Sequence, residues 1–134
     1  MIRIHLFALG LLMFAAATVP LGTASALTLS EKAAIQAAMQ QHVDSTLVDG
    51  SVLYLDPEDG NVHKLHPVTA HPMILTMADH YVLCFDFRDD SGKDVPIDYY
   101  MARNQNSYVV FHTAVNDRSL LQRLMKDGRV KRLH

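Results

Sequence analysis

The sequence predicts an α+β domain: an N-terminal helix packed on a curved antiparallel β-meander of four to five strands, followed by a short C-terminal helix. Three observations carry this. Apolar residues recur at helical spacing over residues 28–48, alternate through five segments between residues 51 and 115, and return to helical spacing over 117–127. Clusters of Asp, Asn, Gly and Pro separate the alternating segments, as turns require. A chain of 134 residues with a hydrophobic fraction of 49% has room for one domain with a core of its own.

Composition also excludes several classes. Lys plus Arg number 12 against 14 Asp plus Glu, and the chain has only 6 Gly and 5 Pro, which is not the make-up of a disordered or low-complexity chain. One Cys cannot form a disulfide within the chain. A net charge of -2 offers no overall basic field, so nucleic acid is not an expected partner.

The first element reads as a secretory signal. Arg3 supplies a cationic start, an apolar stretch runs from Leu6 to Val19, and Ala24-Ser25-Ala26 presents small residues at a cleavage site. Cleavage is placed after Ala26, leaving a single domain over residues 27–134, a periplasmic location and no stable membrane anchor. Removal of residues 1–26 takes away only Arg3 among the charged side chains.

Thr28 followed by Glu31 forms a capping box at the start of the first helix. Ile35, Met39, Val43 and Leu47 make its apolar stripe, and Asp49-Gly50 is expected to end it with a left-handed cap. Strands follow at Ser51 to Asp56 and Val62 to Val68 around the hairpin signal Asp59-Gly60. Pro67 and Pro72 make the second of these short or an edge. Three longer strands span His80 to Arg88, Asp94 to Arg103 and Ser107 to Val115. The final helix runs from about Asp117 to Asp127, closed by Gly128, with Leu120, Leu121, Leu124 and Met125 facing inward.

In the three long strands the odd positions, among them Phe85, Ile97 and Phe111, read as the core face for the first helix to cover. The even positions form a mixed second face. Three-residue loops at Ser91–Lys93 and Asn104–Asn106 would align Asp86, Asp98 and His112 in one row, a candidate general acid/base set. Cys84, Tyr100, Tyr108 and Val110 on the same face suggest a surface for a protein partner or a second copy of the chain. Apolar neighbours of Cys84 favour a sequestered thiol.

The helix-then-meander layout resembles the cystatin-like and nuclear-transport-factor-2-like group of small α+β folds. The runs His71-Pro72-Met73-Ile74, Tyr81 to Asp89, Gly92 to Val95 and Tyr108 to Phe111 resemble small exported proteobacterial proteins of unknown function. This resemblance implies the fold and brings no site residues with it.

Seven histidines follow residue 26, and His63, His66 and His71 are candidate ligands for zinc or copper. Residues three apart on a strand face opposite ways, however, which works against a joint site. Residues 117–134 carry six basic and two acidic side chains, a locally cationic tail. No phosphate-binding loop, Cys-x-x-Cys or nucleophile elbow is present. The sequence therefore reads first as a periplasmic, non-catalytic domain that binds a partner or itself through the mixed face. The alternatives are a His-based metal or small-ligand binder, and a hydrolase- or isomerase-type enzyme using Asp98 and His112.

Overall fold

A computed structural model describes residues 26–133; the signal-like segment before Ala26 lies outside the described residues. Helix α1 (Leu29–Thr46) opens with the expected capping box. The Thr28 hydroxyl accepts from the Glu31 amide at 3.1 Å, and the Glu31 carboxylate accepts from the Thr28 amide at 2.9 Å. The helix stops at Thr46, one residue before the last member of the apolar stripe. Leu47 turns extended and starts strand β1 (Leu47–Val48), which pairs with β2 (Ser51–Leu55). Asp49 (φ 51°) and Gly50 (φ 79°) are thus the two left-handed residues of a tight hairpin turn, not a helix cap.

Strand β3 (Val62–Ala70) is longer than the prolines led one to expect. Its first half pairs with β2 and its second half with β5 (His80–Arg88), and the ladder is interrupted between Pro67 and Thr69. Pro67, which has no amide hydrogen to offer, stands beside that bulge. Strand β4 (Leu75–Met77) continues along the same edge of β5. Beyond β5 come β6 (Asp94–Asn104) and the outer strand β7 (Ser107–Val115); helix α2 (Ser119–Lys126) and strand β8 (Lys131–Arg132), paired with β4, finish the chain. The α+β class stands, but the antiparallel sheet has eight strands rather than four to five. Three of these, β1, β4 and β8, hold only two or three residues, too few to show a period.

Two apolar layers result. On one side Ile35, Met39 and Val43 of α1 pack on Leu83, Phe85, Phe87, Ile97, Tyr99 and Met101, the odd-numbered rows of β5 and β6. Each fully buried aliphatic side chain of this kind contributes about 1.5–3 kcal/mol. On the other side Leu121 and Leu124 of α2, with Val130, cover Val82 and Tyr100. The face expected to lie open for a partner is therefore covered by the C-terminal segment of the same chain. Gly128 (φ 70°) makes the reversal that allows this, with the Arg129 amide donating back to the Leu124 carbonyl at 2.9 Å. Among the described residues no helix is long and apolar enough to cross a membrane.

Candidate functional site

Register decides which polar side chains meet, and at Asp98 it differs from the expected one by two residues towards both neighbouring strands. Between β5 and β6 the connection has five residues, because Asp89 organises it. Its Oδ1 accepts from the amides of Ser91 (2.9 Å) and Lys93 (3.0 Å), and its own amide donates to the Lys93 carbonyl. Arg88 then faces Asp94, Cys84 faces Asp98, and Asp86 faces Pro96. Between β6 and β7 the turn is only Gln105-Asn106, and a bulge at Phe111 inserts one unpaired residue. His112 therefore stands opposite Tyr100, and Asp98 opposite Ala114.

The row Asp86, Asp98, His112 does not form. The bulge also splits the group Cys84, Tyr100, Tyr108 and Val110. Cys84 and Tyr100 face α2, whereas Tyr108 is buried on the α1 side with its ring edge-on to Tyr81, and Val110 packs there too. Phe111 crosses the other way. It leaves the core face, lies against His80 and Tyr100, and is 53% exposed.

The three candidate histidines separate as alternation requires. His63 bonds to Asp59 at 2.9 Å beside the β2–β3 turn. His66 bridges Ser51 (3.0 Å, Nδ1) and Asp90 (2.7 Å, Nε2). That Ser51–His66–Asp90 series ties the first hairpin to the β5–β6 loop; Ser51 is 4% exposed, so its hydroxyl is not presented to a substrate. His71 alone reaches the polar centre described next.

A cleft of about 240 Å³ lies between the sheet and α2. Cys84 and Asp98 line it, joined by His71 and Arg118, while Met73, Leu121 and Met125 form apolar walls. Cys84 and Asp86, two apart on β5, point to the same face. The His71 amide donates to the Cys84 carbonyl at 2.9 Å, which holds the imidazole beside them, and His71 Nε2 lies 2.6 Å from Asp86 Oδ2. Arg118, the residue before α2, touches the Cys84 sulfur and approaches Asp98 Oδ1 at 3.3 Å. The approach is an ion pair by distance, but its N–H groups are not aimed at the carboxylate. Both Asp98 oxygens, although the residue is only 1% exposed, have no hydrogen-bond partner.

Burial raises the Asp98 pKa above the usual carboxylate range, with Arg118 opposing the shift. Burial likewise pushes the Cys84 thiol up to about 12, again against the pull of Arg118. A larger cleft of about 580 Å³, lined by Asp56, Glu58, His63 and Asp89, opens at the hairpin end of the molecule. Two of its carboxylates already serve the turns: Asp56 accepts from the Glu58 amide, and Asp89 from those of Ser91 and Lys93. The smaller cleft is the one with an unmet polar group.

Sequence reasoning counted Arg118 only within the cationic tail. Nothing local marks it, because its role follows from where α2 docks. No family model, curated protein or solved structure matches the chain.

Proposed function

We propose that this chain is an exported binding module that takes a small ligand in the cleft between the sheet and α2. One observation carries the reading: a carboxylate, Asp98, is almost fully buried at the cleft with neither oxygen hydrogen-bonded. A buried carboxyl that accepts no hydrogen bond is unfavourable by about 1–3 kcal/mol, only partly offset by the Arg118 guanidinium 3.3 Å away, and a ligand that donates to it or coordinates beside it recovers much of that cost. Partner binding across the even-numbered face loses its basis in Tyr100, which α2 covers. The signal-like N-terminus with its Ala24-Ser25-Ala26 site supports placing the module in the periplasm.

The test is a ¹H–¹⁵N NMR titration of the chain from Leu27 onward with small amines, imidazole and divalent metal ions. Shifts concentrated at Cys84, Asp98, Arg118 and Leu121 support the reading. Shifts confined to the outer surface, or none at all, overturn it.

A second reading, self-association, draws on the outer strand β7, where Val109 and Phe111 are 41% and 53% exposed. Sedimentation equilibrium of wild type and Phe111→Lys separates a dimer at this edge from a monomer.

A further inference from the structure

We propose that the ligand of this cleft is a zinc ion, held by His71 Nε2, the Cys84 sulfur and an Asp86 carboxylate oxygen. The inference rests on the cleft-binding reading above and names its ligand class. The three donor atoms lie within 4.8 Å of one another. The imidazole nitrogen is 2.6 Å from Asp86 Oδ2, and the sulfur 4.0 Å from Asp86 Oδ1. A tetrahedral zinc with ordinary bond lengths places such atoms about 3.3–3.6 Å apart, so the imidazole must draw back from Asp86 Oδ2 by less than about 1 Å, and the sulfur, now nearest the other Asp86 oxygen, must move in by a similar amount. The backbone of Cys84 and Asp86 is fixed by the β5 ladder and that of His71 by its bond to Cys84, so the adjustment falls to the side chains.

The surroundings point to a cation. Directly across from Cys84, the buried Asp98 adds a carboxylate whose oxygens accept no hydrogen bond, with the Arg118 guanidinium 3.3 Å away. With histidine neutral, Asp86, Asp98 and Arg118 leave the cluster one negative charge in excess. Coordination of a dication replaces the thiol proton, which leaves to bulk water, and His71 carries its remaining ring proton on Nδ1. The cluster is then neutral. Arg118 remains paired with Asp98 at 3.3 Å. In that role Asp98 is a positioning residue, one contact removed from the metal.

The donor set selects the metal. A thiolate rules against calcium and magnesium, which take oxygen ligands, and a carboxylate beside thiolate and imidazole suits zinc better than copper(I). Three protein ligands leave a fourth position open to the cleft, for water or an exchangeable group.

Isothermal titration of the chain from Leu27 onward with zinc chloride tests this. The expected result is one ion per chain with a dissociation constant below about 1 μM. Cys84→Ala and His71→Ala abolish the binding, His63→Ala leaves it unchanged, and Asp98→Asn weakens it by about 10- to 100-fold. Cobalt(II) put in place of zinc shows thiolate charge-transfer absorption that Cys84→Ala removes. Should the variants fail to fold, the wild-type protein still decides, because zinc must protect Cys84, its one thiol, from alkylation. Zinc binding that survives loss of Cys84 and His71, or absence of protection, overturns the site. If amines, imidazole or copper(I) shift the cleft resonances while zinc does not, the metal assignment falls and the cleft-binding reading stands. If nothing perturbs the cleft, both fall.

Discussion

Cys84 and Asp98 stand directly opposite each other on neighbouring strands, facing α2, and Arg118 touches both. A half-buried thiol and a buried carboxylate are thereby held side by side, in the part of the molecule where apolar residues from the sheet and the last helix meet.

The thiol should be slow to react. With its pKa pushed up to about 12, Cys84 has a thiolate fraction of about 10⁻⁴ at pH 8. Alkylation by iodoacetamide of the folded, metal-free protein is expected to be at least about 100-fold slower than that of a free cysteine, and to recover in urea. Equal rates in the two states would show that the sulfur is not sheltered.

Phe87 and Phe111 distinguish the bulged strand from a regular one. Phe87 is fully buried, and Phe87→Ala is expected to cost about 3–5 kcal/mol in urea unfolding. Phe111→Ala should cost less than about 1 kcal/mol, because the bulge turns the ring outward. Comparable losses would restore the regular alternation.

Helix α2 is the lid over the even face. Leu124→Ala should lower stability by about 2–5 kcal/mol and, more tellingly, speed Cys84 alkylation and amide exchange in residues 119–126. Unchanged alkylation would mean that α2 does not shield the cleft.

Acid should weaken the α1 side of the domain through His42. Burial lowers its pKa; the ring lies edge-on to Tyr99 at 5.5 Å. The folded value is below the unfolded one near 6.5, so the unfolded chain binds more protons as the pH drops through that range. The stability from neutral His42 is full above about 6.5 and is lost as the pH falls to the folded value. In urea unfolding at pH 7.5 and 5.5, His42→Gln should show a smaller difference than wild type; an unchanged difference would assign the slope to other groups.

At the entry to α1, Thr28→Ala removes the acceptor for the Glu31 amide and should cost about 1 kcal/mol, read as a lower urea midpoint.

Local chemistry wrote much of this fold into the chain. Thr28 and Glu31 specify a helix start that needs nothing beyond their own backbone amides. The odd positions of β5 and β6 face α1 because strand alternation has a period of two, whatever the partner. The same period hides register. Sliding β6 by two residues past β5 leaves every apolar residue on its side yet exchanges Asp86 for Cys84 as the neighbour of Asp98. Asp89 made that choice through its bonds to Ser91 and Lys93, and the bulge at Phe111 did so for His112.

The sequence by itself thus determined the α+β class, the helix start and the inward rows of the central strands, since each depends on residues within one or two turns or pleats of one another. Tertiary structure alone decided that α2 folds back over Tyr100, that His71 rather than His63 or His66 joins Cys84, and that Arg118 meets Asp98. Those pairings join residues far apart along the chain; the spacing of Leu121 and Leu124 shows that α2 has an apolar face but not which surface it covers, and loop hydrogen bonding leaves no periodic trace.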